Sequence, residues 1–147
     1  MRGGTENVAG IVGFAAAVEQ RRADSTADER KAAARTAFVG ALQDSGLTFT
    51  PTTDQETLPG HLHLRIPGVR ADSMLIRLDR LGIAASSGAA CSSGSIEPSH
   101  VLLACGYSEE EAQEGLRFTF GSDLSTELAA NAGRITADAA RQIASLG

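Results

Sequence analysis

Two short runs, Leu62–Ile66 and Leu116–Phe120, alternate apolar and polar residues strictly. Each requires a strand with one buried face and one wet face. Leu62, Leu64 and Ile66 lie against His61, His63 and Arg65, and Leu116, Phe118 and Phe120 against Arg117 and Thr119. A third short strand is predicted over Leu47–Thr50. The chain around these runs reads as helix. Asn7 caps a helix to about Arg22 with Val8, Ile11, Val12 and Ala15 on one stripe. Thr26 and Glu29 form a capping-box pattern before a helix whose Ala34, Phe38, Ala41 and Leu42 share a face, ending at Gly46. Asp72 is read as the cap of a helix carrying Met74, Leu75, Leu78 and Leu81, which stops at Gly82 and feeds a strand over Ile83–Ala85. Ser99 caps a short helix through Ala104, Ser108 with Glu111 makes a second capping box closed by Gly115, and a last helix runs from Ser125 toward Leu146, weakened by Gly133. Helices interspersed with a few short strands give an α+β, two-layer domain with helices covering one side of a small sheet.

The 147 residues suffice for one core and show no repeat or linker. A net charge of −5 argues against the basic surface that a nucleic-acid binder needs. No apolar run approaches the ~20 residues of a membrane span, and MRGGTEN lacks the regions of a secretory signal, so a cytoplasmic setting is expected. Two cysteines, Cys91 and Cys105, are too few for a disulfide framework.

Cys91 sits in SSGAACSSGSIEPS, Ser86–Ser99, where ten of fourteen positions are Ser, Gly or Ala. This stretch has almost no side chain to anchor it, and a mobile loop with an accessible thiol is predicted. An unperturbed thiol is only a few per cent ionised at neutral pH, so reactivity needs a nearby cation or helix end. His100 and Arg117 are candidates for that help. From the residues alone, Cys91 is either a functional nucleophile or an incidental loop cysteine. His61 and His63 project to one strand face and could share a metal with a third ligand, although a plain polar face is the simpler reading. No metal site is expected. Cys105 reads as buried filler on its short helix. Glu109–Glu111 reads as favourable charge at a helix start, or as a partner-facing patch.

GIAASSGAACSSGSIEPSHVLLACG, Gly82–Gly106, resembles the active-site segment of the pyridoxal-phosphate-dependent cysteine desulfurases of the class with the long cysteine loop, within the class V aminotransferases. RGGTENVAGIVGF at Arg2–Phe14, LPGHLHLRIPGV at Leu58–Val69 and LRFTFG at Leu116–Gly121 agree in the same order. The resemblance implies the small C-terminal domain of a fold-type I enzyme over 1–147, with 1–22 as a connecting helix and the large cofactor-lysine domain absent. It implies that Cys91 takes sulfur from L-cysteine as a persulfide while L-alanine is released, that Arg117 holds the substrate carboxylate, and that Thr5 reaches the pyridoxal phosphate of the partner subunit in a homodimer. A sulfur-acceptor protein, such as one serving iron–sulfur cluster assembly, is the implied partner. Lys31, the single lysine, is expected on a solvated helix face and not at the cofactor, so the chain alone is expected to be inactive. Ala89 stands where the family usually has serine, Ser122 where arginine is common, and His63 where asparagine is frequent. Alternatives are a noncatalytic persulfide relay or partner-binding domain, and a fragment of a related enzyme such as a selenocysteine lyase.

Overall fold

A computed structural model describes residues 3–52, 57–87 and 98–145. Its elements are α1 (Val8–Ala23), α2 (Ala27–Asp44), β1 (Thr50–Pro51), β2 (His61–Arg65), α3 (Ala71–Arg80), β3 (Ser86–Ser87), α4 (His100–Ala104), α5 (Glu109–Gln113), β4 (Gly115–Thr119) and α6 (Thr126–Ala144). The sheet order is β1-β2-β4-β3, antiparallel throughout. The α+β, two-layer reading holds: α2, α3 and α6 pack on one face of the small sheet.

The inner face is built by the predicted apolar residues. Leu64, Ile66, Leu116, Phe118 and Phe120 are buried against Phe38 and Leu42 of α2 and Met74 and Leu78 of α3. Phe38 lies at the centre, its ring 4.8 Å from that of Phe118 and 5.4 Å from that of Phe120, both tilted as aromatic quadrupoles prefer. The buried face of α6 is made of small residues, Ala129, Gly133, Ala137 and Ala140 among them, which lets it approach α2 closely. Gly133 is the crossing point. A Cβ there would lie 2.6 Å from the Phe38 carbonyl oxygen and 2.9 Å from Ala41 Cβ. Gly133 therefore serves the helix contact, which outweighs the intrinsic cost of glycine in a helix.

Several local expectations are corrected. Thr26 precedes α2 but makes no side-chain cap, because its hydroxyl accepts from Arg30 Nη1 at 2.6 Å instead. Arg70, not Asp72, is the N-cap of α3; the Asp72 carboxylate is engaged by Arg70 and by the Ser73 N–H from within the first turn. The strand expected at Leu47–Thr50 pairs only at Thr50–Pro51. The one expected at Ile83–Ala85 begins at Ser86, because Gly82 (φ +77°) and Ile83 close α3 by donating to Asp79 and Leu78 carbonyls, the double closure of a Schellman motif. The caps at Asn7, Ser99 and Ser108 form as read, and Ser125, read only as the start of the last helix, caps α6 as well. Ser108 and Glu111 exchange both bonds of the capping box, at 3.2 and 2.9 Å. Ser108→Ala is expected to cost about 1 kcal/mol of global stability, read as a lower urea midpoint at unchanged slope.

Helix α1 differs from the rest. It buries no residue; Val8, Ile11, Val12 and Phe14 are all more than half exposed, and the stripe read from the sequence meets nothing else among the described residues. Its C-terminal end is held to α2 by Arg21–Asp28 and Arg30–Asp24, each at 2.6 Å. No helix among the described residues is long and apolar enough to cross a membrane.

Candidate active site

Odd positions of β4 and their partners form the outer face of the sheet. Two short helices cover part of it, an addition to the one-sided arrangement expected. Arg65, predicted wet, is only 9% exposed. Its guanidinium bonds Glu111 at 2.8 Å and Glu114 at 2.9 Å and stands 5.1 Å over the Tyr107 ring. The other Glu114 oxygen accepts from the Gly68 N–H at 2.7 Å, and Tyr107 donates to the Thr52 carbonyl at 3.1 Å. This cluster clamps α4 and α5 over the β2–β4 end at Arg65 and Gly115. A Cβ on Gly115 would be 2.9 Å from Leu102 Cδ1, so glycine admits α4 there. The Ser108 N–H, aided by Arg65, holds the Glu111 carboxyl below the usual range, keeping the clamp ionised.

Beyond this cover the face is open, and Arg117 lies on it. β-register places Arg117 directly opposite His63 on β2 and opposite Ser86 on β3. Thr52 completes the row: its backbone N–H donates to the His63 carbonyl at 3.1 Å, and its hydroxyl lies 2.8 Å from His63 Nδ1. His63 is half-buried, and its pKa is lowered chiefly by burial and secondarily by Arg117. Arg117 is exposed and has no carboxylate partner among the described residues, whereas Arg65, two residues along β2 from His63, has two. An exposed guanidinium whose donors meet no acceptor among the described residues is suited to a ligand carboxylate, which it can grip through two parallel bonds.

The aminotransferase class-V family model matches residues 1–127. The chain belongs to the aminotransferase class-V family. Among curated relatives, a cysteine desulfurase IscS 1 of Archaeoglobus fulgidus is 37% identical over 134 residues, covering 82% of this chain and 32% of that one. A cysteine desulfurase of Frankia sp. (strain EuIK1) is 36% identical over 150 residues, covering 99% and 35%. The X-ray structure of a NifS-like protein from Rickettsia africae ESF-5 has a TM-score of 0.76 at 26% identity, over 97% of this chain and 36% of that one. The chain thus spans about a third of the length of the relatives it matches.

Within this class-V member the expected site residues are unevenly placed. Cys91 and Ala89 fall in 88–97, outside the described residues; β3 ends at Ser87, immediately before that segment, beside Leu116. Thr5 is exposed in the segment ahead of α1, with no hydrogen bond among the described residues. His100 is exposed at the first position of α4. Cys105, expected as filler, is exposed at the C-cap of α4, because Leu102 is the residue that turns inward. No group of three metal-ligating side chains gathers among the described residues. Lys31 bonds Asp28 at 3.1 Å and lines a cavity of about 310 Å³ with Arg21, Gly60, His61 and Phe120. Sequence reading missed the His63–Arg117 pairing and the Arg65 clamp. The shared face of His61 and His63 was visible, but its partner strand was not.

Proposed function

We propose that this chain is the small C-terminal domain of a cysteine desulfurase, in which Cys91 receives sulfur from L-cysteine while Arg117 holds the substrate carboxylate. The observation that carries the reading is an exposed arginine without a carboxylate partner among the described residues, opposite the strand from which the Cys91 segment departs. Four Cα–Cα steps lead from Ser87 to Cys91, so the two Cα atoms lie within roughly 14 Å of one another whatever path the chain takes.

In the transfer, the Cys91 thiolate attacks the substrate sulfur, an S–S bond forms and the Cβ–S bond breaks. The carbon takes the electron pair and a proton, so L-cysteine plus thiol becomes L-alanine plus persulfide. The substrate carbon is reduced and the two sulfurs share the oxidation, so no outside oxidant is needed. Arg117, with its planar fork, orients the amino acid for this attack.

Pyridoxal phosphate, which the family resemblance implies, does not fit the described residues as a complete site. The single lysine is bound to Asp28, so the cofactor lysine is assigned to protein outside these residues. That assignment gives α1 its role: its uncovered apolar stripe suits a connecting helix against a large domain. Thr5, exposed ahead of it, is assigned to the cofactor phosphate of a partner subunit in a cytoplasmic homodimer. The persulfide passes to an acceptor protein, as in iron–sulfur cluster assembly.

Incubating this chain with L-cysteine and a desulfurase large domain that supplies the cofactor lysine should yield a one-sulfur mass adduct on the peptide containing Cys91 and one alanine per adduct. An adduct confined to Cys105, or alanine absent, would overturn the reading.

A further inference from the structure

Arg117 is one member of a row that crosses the whole sheet. Thr52, His63, Arg117 and Ser86 are lateral neighbours on four adjacent segments, and the last three share the outer face because directly opposed residues in antiparallel strands point the same way. We propose that His63 is a second ligand of the carboxylate held by Arg117, making a two-residue anion clamp whose grip tightens when the imidazole is protonated. The inference rests on the desulfurase reading for the identity of the carboxylate, and on the register for the clamp itself.

Opposed side chains in such a pair have Cβ atoms about 5 Å apart, a separation that one carboxylate can bridge. The Thr52 hydroxyl engages Nδ1, and the Cε1–Nε2 edge of the ring lies over Gly115, whose absent Cβ would stand 3.1 Å from Cε1 and 3.5 Å from Nε2, so Nε2 is the nitrogen left for the anion. The surroundings of His63 define how it titrates. Arg117 faces it from β4, His61 and Arg65 flank it along β2, and Glu111 and Glu114 of α5 are taken up by Arg65. Tyr107 reaches the Thr52 backbone, and α4 presents the apolar Leu102 near Gly115. The nearest charge not already paired among the described residues is therefore the Arg117 cation. Without an anion, burial and, secondarily, that charge hold the imidazole pKa below its ordinary 6.5. A folded pKa below the unfolded one means that His63 adds stability above about pH 6.5, which is lost as pH falls through the folded value. A carboxylate between the two side chains offsets the repulsion, so by reciprocity the anion raises the His63 pKa and acid strengthens anion binding.

The test follows the three histidine Cε1–H resonances of the 147-residue chain against pH, in L-alanine or in chloride at equal ionic strength. Alanine should raise the His63 pKa by about 0.5 or more, which corresponds to at least threefold tighter binding to the protonated form. The resonances of His61 and His100 should not respond to alanine. Arg117→Ala should raise the His63 pKa without ligand and abolish the alanine-dependent rise. His63→Gln should weaken alanine binding at least threefold at a pH well below the His63 pKa found in that titration and leave it unchanged at pH 8. A His63 titration indifferent to alanine, with Arg117 side-chain N–H signals still responding, would overturn the clamp and leave the assignment of Arg117 standing. Equal effects from chloride would also overturn it. Silence of both residues would overturn the clamp and the carboxylate role of Arg117 together.

Discussion

Cys91→Ser is expected to lower cysteine-dependent sulfur release by the chain, when completed with a large domain that supplies the cofactor lysine, by at least roughly a thousandfold while leaving the chain's own thermal midpoint unchanged. The size of the effect follows from chemistry. A thiol is the strongest nucleophile among side chains at neutral pH, with a few per cent already ionised, whereas a serine hydroxyl is essentially un-ionised and cannot become a persulfide. Removal of a covalent nucleophile therefore deletes a route, not a contact, and whatever other residues contribute cannot act without it. Sulfide release under a reductant, alanine formation and intact mass should fall together. Cys105→Ser is the control: Cys105 caps α4 on the exposed side, and its loss should leave all three readouts in place. Equal losses in both variants, or persistence of the adduct in Cys91→Ser, would show that the sulfur is carried elsewhere.

Gly133→Ala is expected to destabilise the fold by about 2 kcal/mol, a fall in melting temperature of roughly 4–8 °C for a chain of this length. The sign is the informative part. Helix propensity alone favours alanine over glycine by about 1 kcal/mol in a helix interior. Here the added methyl would lie 2.6 Å from a backbone carbonyl oxygen of α2, which cannot rotate away, and 2.9 Å from Ala41 Cβ. Relief requires α2 and α6 to separate, and Phe38, whose carbonyl is the obstacle, also packs against Phe118 and Phe120. Helix separation thus loosens the sheet contact as well. Thermal or urea unfolding decides the matter; a melting temperature equal to or above that of the unmodified chain would show that the crossing is looser than the distances imply.

Much of this molecule is legible in the linear order of its residues. Hydrophobic period assigned Ala34, Phe38, Ala41 and Leu42 to one buried helix face and Leu64, Leu116 and Phe118 to one sheet face, because local geometry fixes which side chains share a side. Serine caps formed where a short side-chain oxygen preceded a periodic run. Capping failed as a guide at Thr26 and Asp72, where a neighbouring arginine competed for the same oxygen. The stripe on α1 was also correctly helical, yet its period carries no information about what covers it.

The family motif, the outward position of Arg117 and the two-layer architecture were determined by the sequence itself, since each depends on spacing within a few residues or on an extended local pattern. Tertiary structure alone decided that His63 stands opposite Arg117, that Arg65 is enclosed by Glu111, Glu114 and Tyr107, that Cys105 is exposed, and that Gly133 marks a helix crossing. These are consequences of register and interhelical approach, which join residues tens of positions apart. Nothing in the period of a strand or helix specifies which partner it meets, or how closely.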